Sequence, residues 1–208
     1  MKILYSLIIL MILAPNALQA QDTLKLNNGD EKLVHVKELN QRMLYVSFQK
    51  KISKKAKVHG LDLREVYSVN FKDSAQVITY FQDTNSELYF DTESMGRFVA
   101  GEHYAKLHYK APLVTIGGVV TGFGGPTVNF FYGILVPAAY TLTLGNIPVS
   151  TRKLARNEPA LYADPYFVEG YKLKARKKKT MNAIWGSLIG IGAAAITTSV
   201  YLITNPAE

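Results

Sequence analysis

The sequence predicts an α+β membrane protein, in which a small N-terminal antiparallel β domain precedes two hydrophobic helical membrane segments. Three observations lead to this fold class. Residues 22–82 alternate apolar and polar side chains between turn signals, as half-buried strands do. Residues 111–151 contain no charged side chain, and a second uncharged run, residues 180–207, follows a block of basic residues. Both runs exceed the roughly 20 apolar residues with which a helix crosses a bilayer.

Residues 1–20 have the pattern of a signal peptide. Lys2 provides the positive start, Ile3 to Ala14 form an apolar core, and Ala20 is a small residue before a cleavage point at Gln21. This core is short for a membrane span, so we expect cleavage and export of the chain from residue 21. An uncleaved anchor is the alternative.

Residues 21–82 are predicted to form the exported β domain. Asn27-Asn28-Gly29-Asp30 is a turn signal, because Asn and Gly tolerate positive φ. A second turn is predicted at Gly60. Five short strands in this length favour an SH3-like or Sm-like barrel. The predicted strands are residues 23–26, 33–39, 43–48, 66–71 and 76–81, with shared faces for Val34 and Val36, for Leu44, Val46 and Phe48, and for Tyr67, Val69 and Phe71.

Residues 83–110 are predicted to be a linker followed by an amphipathic helix from Met95 to Tyr109. Phe98, Val99 and Leu107 lie along one face of that helix. Two interpretations fit this pattern equally. The helix either leads into the membrane along its surface or packs on the β domain.

Residues 111–142 are predicted to be the first membrane segment. The whole uncharged run would make a helix of about 60 Å, whereas the bilayer core is only about 30 Å thick. The sequence Gly124-Gly125-Pro126 is a natural break, because Pro lacks a backbone donor. One arrangement is a single kinked crossing from about residue 113 to 135. The other is a helical hairpin of residues 113–123 and 128–142 that dips into the bilayer.

The basic loop, residues 143–180, favours the single crossing. Residues 111–179 carry nine basic and three acidic side chains, a net charge of +6, and basic loops resist export. We therefore expect this loop in the cytoplasm, a second membrane helix at residues 181–203 with Trp185 at its basic end, and a periplasmic tail at residues 204–208. This topology predicts an inner-membrane protein whose β domain faces the periplasm.

Small residues at four-residue spacing predict close helix packing. They are Gly118 and Gly122 in the first segment and Gly186, Gly190 and Ala194 in the second. Packing of the two faces within one chain is the favoured interpretation, and packing between copies in a homo-oligomer is the other.

Two basic clusters remain. One adjoins the second membrane helix, where we expect it to fix topology and to attract anionic headgroups by about 1 kcal/mol per charge. It comprises Lys172, Lys174, Arg176, Lys177, Lys178 and Lys179. The other is either a solvated loop or a contact for an anionic partner. It comprises Lys50, Lys51, Lys54, Lys55 and Lys57. The block beside the membrane helix lacks interleaved aromatic residues, which argues against nucleic-acid binding. We therefore expect no nucleic-acid partner.

No catalytic, cofactor-binding or metal-binding pattern is found. The absence of cysteine excludes disulfides, thiolate catalysis and Fe–S clusters. His103 and His108 would be separated by about 140° on a helix, which does not suit a shared metal. Residues 190–195 match a loose dinucleotide fingerprint but have no strand before them. We therefore expect no enzymatic activity and no cofactor.

Several segments together resemble uncharacterised exported, membrane-anchored envelope proteins of Gram-negative bacteria. They are residues 20–29, residues 101–105 with Tyr109, the Gly-rich run, Tyr166, Gly170-Tyr171 and the Lys-rich block. The resemblance implies an envelope location and a β domain joined to membrane segments. We expect a non-enzymatic binding or scaffolding module with the bilayer and an envelope protein as partners. The alternative is a small oligomeric membrane component, such as a pore or transporter accessory.

Overall fold

The computed structural model describes residues 22–40, 42–48, 58–72, 75–80 and 90–205. The chain forms two compact units. The strand unit comprises the chain up to residue 81 except Asn27–Asp30, and the helical unit comprises Asn27–Asp30 and the chain from residue 82. An antiparallel sheet followed by helices agrees with the predicted α+β class.

The strand unit is a six-stranded antiparallel sheet with the order β4-β3-β2-β1-β5-β6. Gly60 lies inside β4 and not at a turn, so that prediction was wrong. β4 was missed because its sequence lacks apolar alternation; pairing with β3 holds it in the sheet. The strands are β1 (Asp22–Leu26), β2 (Glu31–Leu39), β3 (Met43–Ser47), β4 (Val58–Asp62), β5 (Val66–Asn70) and β6 (Val77–Ile78).

The core of the sheet is made of Leu and Val side chains. It contains Leu24, Leu26, Val34, Leu44, Val46, Val66 and Val69, with Val36, Phe48, Leu61, Leu63 and Phe71 packed against it. The predicted faces of β2 and β3 are therefore found. In β5, Val66 replaces Tyr67 on the core face, because the β1–β5 register shifts between Lys25 and Leu26. One extra residue on one strand turns its neighbours to the other face.

The turn between β1 and β2 forms as predicted. Gly29 has φ of 71°, which favours glycine, and the Asn28 side chain accepts a hydrogen bond from the Asp30 backbone N–H at 2.9 Å.

The helical unit contains seven helices in the described residues. They are α1 (Thr92–His108), α2 (Pro112–Val128), α3 (Phe130–Gly133), α4 (Leu135–Asn146), α5 (Arg152–Asn157), α6 (Pro159–Tyr162) and α7 (Pro165–Thr204). The Asp91 side chain caps α1 by accepting from the backbone of Glu93 and Ser94, so α1 begins before the predicted Met95. The predicted basic loop is largely helical, because α5, α6 and the first part of α7 lie within it.

The first apolar run folds back on itself between α2 and α4. The Tyr140 hydroxyl on α4 donates to the carbonyl of Val114 on α2 at 2.9 Å, and Gly125 lies against Gly133. The run therefore has the shape of the predicted hairpin and not of one kinked helix from residue 113 to 135. The break is at Asn129, because α2 continues through Pro126 and the Asn129 side chain accepts from the backbone of Tyr132 to start α3.

One described helix, α7, is long and apolar enough to cross a membrane. α1 and α2 pass the same test only as a pair bent by 64°. The candidate span suggests that the chain associates with a membrane.

Candidate functional site

A seam of glycines joins α2 to the second half of α7. A Cβ on Gly118 would lie 2.7 Å from the Ala183 carbonyl oxygen, and a Cβ on Gly122 would collide with the carbonyl of Ser187. From the other side, Gly186 faces the carbonyl of Thr115, and Gly190 faces that of Val119. The two backbones are therefore in direct contact, which only residues without side chains permit.

This seam lies within one chain. It brings together the four glycines that the sequence singled out, and Ala194 is buried on α7 as well. Because each glycine already faces a backbone atom of the other helix, this face is not open to a second copy.

A second glycine contact joins α1 to the first half of α7. A Cβ on Gly101 would collide with the Phe167 carbonyl, and a Cβ on Gly170 would collide with the Phe98 carbonyl. Neither glycine was predicted to pack. The available signal was a glycine inside a helical pattern, where it costs about 1 kcal/mol relative to Ala unless packing requires it.

The face that α1 buries differs from the predicted one. Phe98 and Val99 are buried, but Leu107 is 56% exposed. The buried face also contains Ser94, Gly101, Glu102 and Ala105. The prediction weighed only apolar residues, whereas a close helix contact selects small ones.

Three residues of the basic block donate to helix C-terminal carbonyls. Arg176 Nε donates to the Gly145 oxygen and Lys179 Nζ to the Ile147 oxygen, both at 2.6 Å at the end of α4. Lys178 Nζ donates to the Lys106 oxygen near the end of α1 at 2.6 Å. The C-terminal end of a helix carries unpaired carbonyls and partial negative charge, so cations are stabilising there.

The other residues of the block behave differently from one another. Lys174 Nζ donates to the Asn28 carbonyl at 2.6 Å and to Asp30 Oδ1 at 3.1 Å. Lys172 and Lys177 are exposed and, within the described part of the chain, have no hydrogen bond or ion pair. Four residues of the block therefore donate hydrogen bonds to other elements of the chain, while the Lys172 and Lys177 side chains face solvent.

A charged cluster surrounds Asp30. Its carboxylate lies 3.0 Å from Lys106 Nζ and 3.1 Å from Lys174 Nζ. Burial acts to raise the pKa of Asp30, but the hydrogen bonds from Lys106 and Lys174 outweigh it and hold the pKa below its usual value.

Glu102 is the most strongly perturbed group in this cluster. The residue is 5% exposed, and its Oε2 atom has no hydrogen-bond partner among the described residues. Burial raises the pKa of Glu102 to about 7; the charge of Asp30 raises it further, while Lys174 and Lys177 oppose the shift. Sequence patterns contain no signal for such a group, because its position on α1 looks like an ordinary helical surface.

The remaining candidates divide into two sets. The cluster from Lys50 to Lys57 lies outside the described residues, and the flanking strands β3 and β4 pair antiparallel. Among the described residues, no group of three or more His, Asp or Glu side chains could hold a metal ion. His103 lies 3.1 Å from the Gly29 carbonyl, and His59 packs against the Phe48 ring.

Large apolar side chains cover the outward surface of three helices. Trp185 is exposed near the basic part of α7. The other exposed side chains include Leu113, Ile116 and Val120 of α2, Leu135 and Leu142 of α4, and Leu188, Ile189, Ile196, Val200, Leu202 and Ile203 of α7. An exposed apolar surface of this extent is typical of a membrane or protein contact.

Comparison of the chain with protein-family models, with curated proteins and with solved structures found no match.

Proposed function

We propose that this protein is a non-enzymatic envelope protein, whose helical unit anchors the chain in the inner membrane while the strand unit binds or scaffolds a partner. The observation that carries the proposal is the packing of α2, α4 and the second half of α7. α2 and the second half of α7 contact one another through glycine and backbone atoms, and the large apolar side chains of α2, α4 and this half of α7 point outward. This arrangement reverses that of a water-soluble bundle and suits a lipid surrounding.

In this proposal α7 is the one crossing and the α2–α4 hairpin dips into the bilayer from one side. α4 has 12 residues and is about 18 Å long, too short for a hydrocarbon core of about 30 Å. Both ends of the hairpin then lie on the side from which it enters.

This proposal also revises the expected topology. Because α1 packs against the first half of α7 through Gly101 and Gly170, α1 and the basic block belong on the same side of the membrane. The predicted signal peptide would assign that side to the periplasm, and the tail after α7 would then be cytoplasmic. The carbonyl partners of Arg176, Lys178 and Lys179 are neutral, so the exported side keeps the positive charge of these residues. The topology therefore departs from the preference of basic loops for the cytoplasm.

Single-cysteine labelling tests this topology, because the chain has no cysteine of its own. Glu93→Cys, Glu158→Cys and Glu208→Cys are treated with a membrane-impermeant maleimide on intact spheroplasts. We expect labelling at the first two positions, and at the third only after permeabilisation. Protection at Glu158→Cys with labelling at Glu208→Cys would restore the single crossing and overturn the hairpin proposal.

For the strand unit we propose an SH3-like or Sm-like barrel. Central β1 pairs with both β2 and β5, and register shifts occur in β1 and between Val36 and Glu38 of β2. Such irregularities bend strands and support curling of a sheet. The lysines at positions 50, 51, 54, 55 and 57 adjoin edge strand β4 and are the proposed contact for an anionic envelope partner.

Crosslinking in intact cells tests that contact. A variant with these five lysines changed to Gln should lose the crosslinked partner. The control, Lys172→Gln with Lys177→Gln, changes exposed lysines of the helical unit and should keep it. The contact is contradicted if the five-lysine variant keeps the same crosslinked partner as the control. It is also contradicted if neither the native protein nor the control gives a crosslinked partner.

A further inference from the structure

A cavity of about 340 Å³ opens where the two ends of the hairpin meet. Part of its lining comes from the end of α1 and the residues before α2, including Tyr109 and Lys110. Another part, including Ser150 and Lys153, comes from the chain after α4, and Tyr171 of α7 completes it. The cavity is large enough for a small ligand group.

Its two charged lining residues, Lys110 and Lys153, lie at the two ends of the uncharged run. Lys110 is the last charged residue before this run, and Lys153 follows Arg152 directly after it. Both lysines are exposed and, among the described residues, neither has an ion pair. No acidic side chain of the described chain lines the cavity, so its charges are uncompensated.

The surroundings also favour an anion. Burial lowers the pKa of Lys178, and the charges of Lys110 and Lys106 lower it further, which shows that cations crowd this end of α1. The carbonyl end of α1 would disfavour an anion, but two of its carbonyls have partners. Lys178 Nζ donates to the Lys106 oxygen at 2.6 Å, and the Tyr109 backbone N–H donates to the Ala105 oxygen at 3.0 Å.

The position of the cavity matches the membrane interface. Lys110 lies two residues before α2, whose Leu113 is 79% exposed. The rings of Tyr109 and Tyr171 pack edge to face at 6.3 Å beside the two lysines. Tyrosine is enriched at the level of lipid headgroups, and lysine attracts their phosphates.

We propose that this cavity binds a phosphate ester, namely the headgroup of an anionic phospholipid, with Lys110 and Lys153 as its cationic contacts. The acyl chains lie along the exposed apolar face of α2. The lipid source of the phosphate rests on the proposed membrane function, whereas the phosphate site itself does not.

Native mass spectrometry of the full-length protein in detergent tests the site. Phosphatidylglycerol and phosphatidylcholine are titrated against the native protein, against Lys110→Gln with Lys153→Gln, and against the control Lys37→Gln with Lys72→Gln. Loss of two charge-assisted hydrogen bonds should weaken phosphatidylglycerol binding by about tenfold or more in the first pair. The control removes the same charge from exposed positions and should bind as the native protein does.

The proposal is overturned if both pairs weaken binding equally, if neither does, or if the native protein binds the two lipids equally well. Circular dichroism of the variants checks that the helices are intact. Should the Gln pair fail to fold, Lys110→Arg with Lys153→Arg keeps both charges and should retain the preference for phosphatidylglycerol.

Glycerol phosphate, which has no acyl chains, separates the two sources of the ligand. Phosphate recognition is supported if glycerol phosphate competes with phosphatidylglycerol for the native protein and if this competition is lost in the variant Lys110→Gln with Lys153→Gln. Extraction of native membranes at alkaline pH is measured alongside. Protein that is released yet binds glycerol phosphate contradicts the membrane function and leaves a site for a soluble phosphate ester. If the protein stays in the membrane and the variant Lys110→Gln with Lys153→Gln binds lipid normally, the phosphate site is contradicted and the membrane function is not.

Discussion

The core of the strand unit and the glycine seam of the helical unit are stabilised in opposite ways. In the strand unit, Leu and Val side chains from β1, β2, β3 and β5 point inward and exclude water from one core. The helical unit has a similar core where α1 and α5 meet the first half of α7, around Leu154, Phe167 and Tyr171. Across the seam between α2 and the second half of α7, glycines face backbone atoms and the large apolar side chains point outward. The first arrangement follows from the hydrophobic effect in water. The second depends on close packing and internal hydrogen bonds, which act where the surroundings are themselves apolar.

The use of charge differs in the same way. One ion pair of the strand unit, between Lys25 and Glu31, spans 3.8 Å and is partly exposed, so it contributes little to stability. In the helical unit, basic side chains reach carbonyl groups at helix ends, and Asp30 lies between two lysines. Basic side chains therefore join elements of the helical unit, whereas in the sheet this is done by an acidic one, Asp22, which accepts from the backbone N–H groups of Val36 and Lys72.

Truncation of a core side chain should have the largest effect and should be specific to the strand unit. Leu24→Ala removes a fully buried side chain from β1 and should lower the free energy of unfolding by about 2–5 kcal/mol. Leu33→Ala on β2 is the matched control, because Leu33 is 63% exposed, and should change it by less than about 0.5 kcal/mol. Denaturation followed by circular dichroism measures both; equal losses would disprove the assigned core.

Addition of a methyl group should have the next largest effect, and in the helical unit. Gly186→Ala places a Cβ against the Thr115 carbonyl and should destabilise the protein by about 1–3 kcal/mol. Gly192→Ala lies on the same helix, where a Cβ meets nothing within 4 Å. It should stabilise α7 by up to about 1 kcal/mol. Thermal unfolding in detergent compares the two, and the same sign for both would contradict the seam.

Glu102 should make the stability of the helical unit depend on pH. Below about pH 4.5 the carboxyl is protonated in both the folded and the unfolded chain. Between about 4.5 and about 7 the unfolded chain ionises first, so stability is lost as pH rises through the folded pKa. The slope from this group is at most about 1.4 kcal/mol per pH unit.

Glu102→Gln should flatten that slope, while Glu93→Gln, at an exposed position on the same helix, should keep it. Unfolding midpoints between pH 4 and pH 8 give the measurement. If the native protein loses no stability in this range, the pKa of Glu102 is not raised in the folded chain and the prediction is wrong. Asp30 acts in the opposite direction, because its lowered pKa makes its contribution disappear as pH falls.

The smallest effect is expected for the basic block. Lys179→Met removes the donor to the Ile147 carbonyl at a buried position and should cost about 1 kcal/mol. Lys172→Met removes an exposed lysine of the same helix and should be nearly neutral. Thermal unfolding in detergent again provides the comparison. An equal cost at both positions would mean that the block acts only through its net charge.

Local patterns predicted the sheet better than the helical unit. Alternation identified the core faces of β2 and β3, and Asn-Gly chemistry identified the turn at Gly29. β4 was missed because pairing with β3, and not its own sequence, makes it a strand. Tyr67 was assigned to the wrong face because a register shift depends on the partner strand. Glu102 was missed because its burial comes from tertiary packing.

The sequence by itself determined the α+β class, the turn at Gly29, the apolar character of two long segments and the spacing of their glycines. These properties depend on neighbouring residues, whose periodicity and conformational freedom are local. Only the tertiary structure decided that the run between Lys110 and Arg152 folds back on itself and that its two ends meet at one cavity. It also decided that most of the basic block binds carbonyl groups of the same chain. Such contacts join residues far apart in the chain, and their geometry depends on which backbones can approach closely enough to touch.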